Sequence, residues 1–329
     1  MKVLVIKLGA KGDVVRSLPI LTGVREKFPD SEIHWLVKSS NKGVVEGAPE
    51  VSKIFTLEEL PSEKYDVLYN FDIEDEATSL AMSIVADKKL GFFSEGGFVS
   101  AFNLGAEYYL NTLFDDETKV NNKKTNQEMM FDVAELDYKR QHHTIYVSPF
   151  DVEYAENFIR ENGINKDKLI GIHLGAGPRW PSKRWHEDNL VEFVKLANKN
   201  GYEILLFGGP DEVEYTKRVF ELLKGIRINI FRNDPSNSDK EFAALVTLCR
   251  IMVCSDSFSL HVSLAMKKPT IGLFFCTPYR EIETYDLLTV IASPRLYDFF
   301  PEKMDCYDEG LVKSISAEEV MEKVRGVLG

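Results

Sequence analysis

The stretch 251–275, IMVCSDSFSLHVSLAMKKPTIGLFF, decides the fold. It opens on a short apolar run, IMVCSD (251–256), which reads as a buried strand. A helical segment carrying His261 follows. TIGLFF (270–275) then reads as a second buried strand. A strand, a helix and another strand make a crossover unit, which sets the two strands parallel.

The same alternation extends outward from this unit. LIGIHLG (169–175), EILLFGG (203–209) and RINIF (227–231) are further strands. Leu190, Phe193, Val194 and Ala197 mark one helix face, ended by Gly201. Another helix starts near Asp211, and a third takes Asp239 as its N-cap. Ser316 and Glu319 form a capping box that opens a final helix. In the N-terminal half, strands are predicted at KVLVIKL (2–8), EIHWLV (32–37), IFTL (54–57), YDVLYNF (65–71) and KLGFF (89–93). Val14 to Lys27 is helical with a kink at Pro19, and Leu80, Met82, Ile84 and Val85 form a helical pattern. Residues 94–143 are irregular, and NNKKTNQ (121–127) is predicted to be an exposed loop. The fold class is α/β, with two Rossmann-like domains of parallel sheets, 1–150 and 151–329.

Composition narrows the function. The 329 residues carry 40 Lys and Arg against 52 Asp and Glu, a net charge of -12. The excess is shared: 17 basic against 24 acidic residues in 1–150 gives -7, and the remainder holds -5. A nucleic-acid-binding body needs a basic face, so that class is excluded. No apolar run approaches the roughly 18–20 residues of a membrane span. The opening segment, interrupted by Lys7, reads as a strand and not a signal peptide. Four cysteines without C-x-x-C spacing point to free thiols in a reducing cytoplasm and argue against a zinc site.

Ligands of open α/β sheets bind at the carboxyl ends of the strands. Three loops there carry chemistry. Gly9-Ala-Lys11-Gly12-Asp13 has glycines and a helix start, but no third glycine in register and no Gly-Lys-Ser/Thr. The second strand ends at Lys38, where a dinucleotide site carries an acid. Dinucleotide and Walker readings therefore fail, and an NAD-dependent dehydrogenase is the weakest assignment. Asp13 is either a helix N-cap or a general base. The second loop, 175–185, sets Gly175 and Gly177 beside Arg179, Lys183 and Arg184, with Trp180 and Trp185. It is either a diphosphate and sugar site or a basic turn anchored by tryptophans. The third, Ser255-Asp256-Ser257-Phe258-Ser259-Leu260-His261, joins a strand to a helix whose first N–H groups suit a phosphate. Asp256 either accepts from a hydroxyl or caps the helix. His261 alone reads more simply as a packed histidine than as a catalytic group.

Taken together, these loops resemble glycosyltransferase family 9, the heptosyltransferases. GDVVRSLPILTGVREKFPDSEIHWLV (12–37) resembles the family's opening. HLGAGPRWPSKRW (173–185) resembles its donor-phosphate segment, and SDSFSLHVSLAMKKPTIGLF (255–274) its D-x-x-x-x-H segment. FGGPDE (207–212) and KSISAEEV (313–320) match in order and spacing. The resemblance is weakest from about 94 to 145.

It implies a GT-B architecture, two Rossmann-like domains facing across a cleft, the N-terminal one for the acceptor and the C-terminal one for the nucleotide sugar. It implies transfer with inversion and no essential metal or cofactor. The nearest approach to D-x-D is Asp72-Ile-Glu74. Asp13 matches the family's base, with Gly12, Lys11 and Arg16 on the acceptor side. Lys183 matches the donor-diphosphate lysine, Asp256 the acid near the donor sugar, and His261 the histidine of that motif. Arg184, Gly175, Gly177, Ser257, Phe258 and Ser259 complete the implied donor site. The implied donor is an ADP-sugar, heptose by family default. The acceptor is a glycan or glycolipid hydroxyl, and the place is the cytoplasm or the inner membrane surface. For an anionic acceptor an acidic chain must use local cations, and Lys38, Lys42, Lys119, Lys123 and Lys124 join Lys11 and Arg16 as candidates.

Three departures stand out. Phe258 occupies the family's glycine position, where a bulky ring would narrow or reshape the phosphate pocket. Phe274-Phe275-Cys276-Thr277-Pro278 replaces the usual F-G-P-T run. Leu311-Val312 stands where a cysteine is usual. Phe258 also feeds a second reading, a non-catalytic GT-B sugar-nucleotide binder. A third reading is a GT-B sugar-nucleotide epimerase.

Overall fold

Every residue of β1 (Lys2–Ile6) after Lys2 is buried, which suits a strand flanked by neighbours on both edges. Those neighbours are β2 (Glu32–Leu36) and β4 (Tyr65–Asn70), both parallel to it. With β3 (Val51–Phe55), β5 (Ala86–Glu95) and β6 (Phe98–Ala101) they form a six-stranded sheet in the order β3-β2-β1-β4-β5-β6. A second six-stranded sheet comprises β7 (Leu169–His173), β8 (Glu203–Phe207), β9 (Ile230–Arg232), β10 (Ile251–Ser255), β11 (Thr270–Phe274) and β12 (Leu288–Ala292). Its order is β12-β11-β10-β7-β8-β9. These details come from a computed structural model, which describes all residues except Ala176 and Pro178.

Both sheets share one topology. Counted within each sheet, the strands run 3-2-1-4-5-6, the order of a doubly wound nucleotide-binding domain. The strand pairings are parallel except β5 with β6, a hairpin pairing Phe92 with Ala101 through to Glu95 with Phe98. The order reverses between β1 and β4 in one sheet and between β7 and β10 in the other. Connections leave those two strand pairs in opposite directions, so a crevice opens at their carboxyl ends. The chain forms two compact units, Met1–Tyr146 with Arg280–Glu283, and Val147–Tyr279 with Thr284–Gly329.

Each unit has its own core. In the first, Leu4, Ile6, Leu36 and Leu68 pack with Phe55 and Tyr65. In the second, Ile170, Ile172, Val253 and Leu273 pack with Trp185 and Phe193. The two αβ interfaces follow from strands that are apolar on both faces.

Several local expectations change. Helix Val14–Lys27 is two helices, α1 (Lys11–Ser17) and α2 (Pro19–Lys27), broken at Leu18. Proline lacks an N–H, so it opens a new helix more readily than it continues one. The segment 121–127 is not an exposed loop: Asn122, Asn126 and Gln127 are buried. Thr125 caps the helix Asn126–Val133, and the polar amides turn inward to Tyr108 and Tyr109. The helix ahead of β5 ends at Ser83 and turns Ala77, Thr78 and Ala81 inward, while Met82 and Val85 are exposed. Ser238, not Asp239, caps its helix, in a capping box with Glu241. Past Gly209 a short 3-10 turn precedes the helix Val213–Leu222. Strands β6 and β12 were missed, though LLTVIA (287–292) carries the β-branched run that marks β12.

Candidate active site

In the first unit the crevice is built around Gly9. Asp13 lies in the first turn of α1, but it is not a cap. The N-cap is Ala10, with no side-chain capping bond. The Asp13 carboxylate instead pairs with Arg16 at 3.0 Å, and one third of its side chain is exposed. Beneath the loop, Lys7 and Asp72 form a buried ion pair, with 6 % and 4 % of their side chains exposed. Asp72 also accepts from the backbone N–H of Leu8, and from that of Gly9 at 2.9 Å. Lys7 further donates to the Phe71 carbonyl at 3.1 Å. Burial pushes the Lys7 ammonium down, but the Asp72 and Asp13 carboxylates outweigh it and hold the group above its ordinary range. Lys11 and Gly12 open α1 beside Asp13. Of the other candidate cations, Lys119 pairs with Asp116 at 3.6 Å and Lys124 with Asp132 at 2.6 Å. Both are engaged within the unit.

In the second unit the site brings together loops after β7, β10 and β11. Lys183 meets Asp256 at 2.7 Å, and the Thr277 hydroxyl donates to the same carboxylate oxygen at 2.7 Å. Burial pushes the Asp256 carboxyl up. The Lys183 and His261 charges and the hydrogen bonds from Lys183 and Thr277 outweigh it and hold the group well below the usual carboxylate range. His261 is buried in the helix Phe258–Ala265, whose N-cap is Ser257. The amino end of that helix, with Phe258 and Ser259, carries the positive end of its peptide dipoles. Thr277 belongs to the departed run Phe274–Pro278 and still delivers a hydroxyl to the site.

Other predicted residues divide. Arg184 turns away from Asp256, with its guanidinium 4.9 Å from the Tyr215 ring and 3.9 Å from Glu212. It lines a cavity of about 310 Å³ with Trp180, His186, Tyr215, Arg218 and Tyr307. Trp185 is fully buried and donates to the Ile315 carbonyl at 2.9 Å. It is an anchor and offers no stacking face. Trp180 has the Lys183 ammonium 5.7 Å from its ring. Gly177 has φ of +67°, the left-handed region that glycine adopts without strain. A Cβ on Gly175 would lie 2.4 Å from Glu212 Oε1, so the Glu212 side chain would have to shift. The Phe258 ring stacks on Phe242 at 5.6 Å, and Phe242 meets Phe207 edge-on. The bulky residue is thus used as packing within the second unit.

Sequence reasoning missed four participants. Lys7 was visible as a charge inside an apolar strand, and Asp72 as an acid at a strand end. Glu212, buried with its carboxylate accepting from Gly209 N–H at 2.9 Å, sits in the FGGPDE run. Thr277 lay in the run that departs from F-G-P-T, and a surface hydroxyl and a site hydroxyl look alike in sequence.

A family model accounts for most of the chain, including the Lys183, Asp256 and Thr277 loops of the second unit. The description "Glycosyltransferase family 9 (heptosyltransferase)" matches residues 56–298. The chain belongs to glycosyltransferase family 9. Lipopolysaccharide heptosyltransferase 1 of Campylobacter coli is 24% identical over 354 aligned positions, spanning 100% of this chain and 99% of that protein. The glycosyl transferase family 9 structure from Veillonella parvula DSM 2008 superposes with a TM-score of 0.79 at 19% identity, covering 99% of this chain and 97% of that one. E. coli ADP-heptose lps heptosyltransferase II gives 0.74 at 18%, covering 100% and 98%. The family 9 chain is therefore a glycosyltransferase with the GT-B fold. Among the described residues, no helix is long and apolar enough to cross a membrane.

Proposed function

We propose that this family 9 chain transfers heptose, with inversion, from ADP-heptose to a hydroxyl of a lipopolysaccharide acceptor at the cytoplasmic face of the inner membrane. The observation that carries this reading is the Lys183–Asp256–Thr277 cluster at the β7/β10 switch point, where a nucleoside diphosphate would meet a lysine and a helix amino end. The names of the matched relatives supply the sugar and the acceptor.

In this reading the second unit, Val147–Tyr279 with Thr284–Gly329, holds the donor, and the first holds the acceptor and the base. Lys183 leaves Asp256 in part and meets the diphosphate, so negative charge on the departing ADP is stabilised. Asp256, released from Lys183 on one side, accepts from a sugar hydroxyl, with His261 beside it. The protein cations meet the diphosphate charge, and no metal is required. Asp13 takes the proton from the acceptor hydroxyl as its oxygen attacks the anomeric carbon. The C–O bond to the diphosphate breaks and its electrons leave with ADP. General base catalysis contributes about 10²–10⁴-fold.

The test is turnover of ADP-heptose on a heptose-deficient lipopolysaccharide acceptor by the wild type and Asp13→Asn. Asn retains the shape and the helix position and cannot take the proton. The expected result is ADP release and a longer acceptor with the wild type, a loss of about 10²–10⁴-fold in the variant, and unchanged donor binding by calorimetry. Full turnover in Asp13→Asn removes Asp13 as the base. No transfer from ADP-heptose, with transfer from another nucleotide sugar, replaces the donor.

A further inference from the structure

The Lys7–Asp72 pair lies under the loop that carries Asp13 and takes no part in the chemistry described above. Asp72 is itself rigidly placed. Its N–H donates to Asn70 Oδ1 at 3.1 Å, and the Asn70 amide donates to the Asp72 carbonyl at 3.0 Å and to the Phe92 carbonyl at 2.8 Å. From that platform at the end of β4, the carboxylate reaches across to β1 and holds the N–H groups of Leu8 and Gly9. Asn41 holds the next peptide, donating to the Gly9 carbonyl at 2.9 Å. The helix α1 begins two residues on, with the Asp13 and Val14 N–H groups donating to the Ala10 carbonyl at 2.8 and 3.1 Å.

Three side chains converge on the space a Cβ of Gly9 would fill. Asp72 Oδ1 lies 3.0 Å from it, Asp13 Oδ2 3.3 Å and Lys7 Nζ 3.4 Å. Two carboxylates this close need a cation between them, and Lys7 supplies it from beneath. Arg16 flanks Asp13 on the outer side, and the buried Tyr109 hydroxyl lies within electrostatic reach of Arg16, Lys7 and Asp13.

We infer that Lys7 and Asp72 are positioning residues for Asp13: Asp72 clamps the Leu8 and Gly9 amides, Lys7 neutralises and orients that clamp, and together they fix where α1 presents the Asp13 carboxylate. This rests on Asp13 acting as the base. The pair contributes through geometry, since a base displaced by about 1 Å can lose about 100-fold in rate.

The test replaces both charges together. Removing one would strand the other as an uncompensated buried charge, whereas apolar replacement of a buried pair is often tolerated. K7M/D72L removes the charges and the acceptor oxygen. K7M/D72N removes the charges and keeps an amide oxygen that can accept from Leu8 and Gly9. The expected result is a kcat loss of about 10–100-fold in K7M/D72L, with donor affinity unchanged, and recovery of most of that loss in K7M/D72N. In the D13N background, K7M/D72L changes residual turnover less than about twofold, because the base it positions is already gone. Wild-type kcat in K7M/D72L overturns the inference, and so does an equal loss in the D13N background. Hydrogen exchange reads the clamp without catalysis. The Leu8 and Gly9 amides of the wild type are protected, and their exchange rises at least about tenfold in K7M/D72L. Unprotected amides in the wild type overturn the clamp even if that variant does not fold. Turnover retained by D13N, with the amides protected, condemns the base assignment and leaves the clamp standing.

Discussion

The two units each place a lysine against an aspartate at the carboxyl ends of the reversing strands, and the two pairs differ in one respect. Lys7 and Asp72 are closed off, at 6 % and 4 % exposed, and Asp72 spends its remaining capacity on two backbone amides. Lys183 and Asp256 are less deeply buried, at 14 % and 15 % exposed, and the Asp256 partners are side chains from two other loops. A closed pair that holds backbone shapes its surroundings. A pair at the crevice rim held by side chains can exchange a partner for a ligand. The same two residue types therefore serve as scaffold in one unit and as binding site in the other, and burial draws the line.

Breaking the Lys183–Asp256 pair should have the largest effect. Lys183→Ala removes the cation that meets the diphosphate, and calorimetry with ADP should show affinity reduced at least about tenfold. It also leaves Asp256 with Thr277 and His261 alone, at a stability cost on the order of 3 kcal/mol by urea unfolding. K183A/D256N should recover stability and not affinity. Unchanged ADP affinity in Lys183→Ala would remove that lysine from the donor site.

The acid response sharpens the comparison next. The Asp256 carboxyl is held below its unfolded value of 3.8. Its contribution is complete above about pH 4 and is lost as pH falls through the lower folded value. The stability advantage of the wild type over Asp256→Asn should shrink between about pH 4 and pH 2 in stepped urea titrations. A constant difference across that range would mean Asp256 is not ionically held. Lys7 has the opposite sign: held above 10.5, its contribution is present at neutral pH and lost only in strong alkali.

The smallest effect on binding should come from Phe258→Ala. The ring stacks on Phe242, so the loss is about 2 kcal/mol of stability with ADP affinity within about twofold. Affinity rising about tenfold or more would place the ring in the phosphate pocket after all.

How much of the site was legible depended on the kind of signal. Asp13, Lys183, Asp256 and His261 stood in motif-like loops between apolar strands, and such loops announce themselves. Their partners did not. Thr277 reaches Asp256 from 21 residues away, and Asp72 reaches Leu8 and Gly9 across 64 and 63. No local pattern encodes contacts of that separation. Helix starts erred for a related reason. Asp239 reads as a cap and Asp13 as either a cap or a base, and the caps are Ser238 and Ala10. Acids favour the whole first turn through the helix dipole, so composition locates the turn and not the capping residue.

The sequence by itself determined the α/β class, the order of strands and helices over most of the chain, and the loops that carry charge. Periodicity and apolar runs are local, and β-branched strands flanked by helices leave little choice of architecture. The tertiary structure decided what the charges do. Which strands become neighbours sets which carboxylate meets which lysine, and how deeply each pair is buried separates the clamp beneath Asp13 from the site at Asp256.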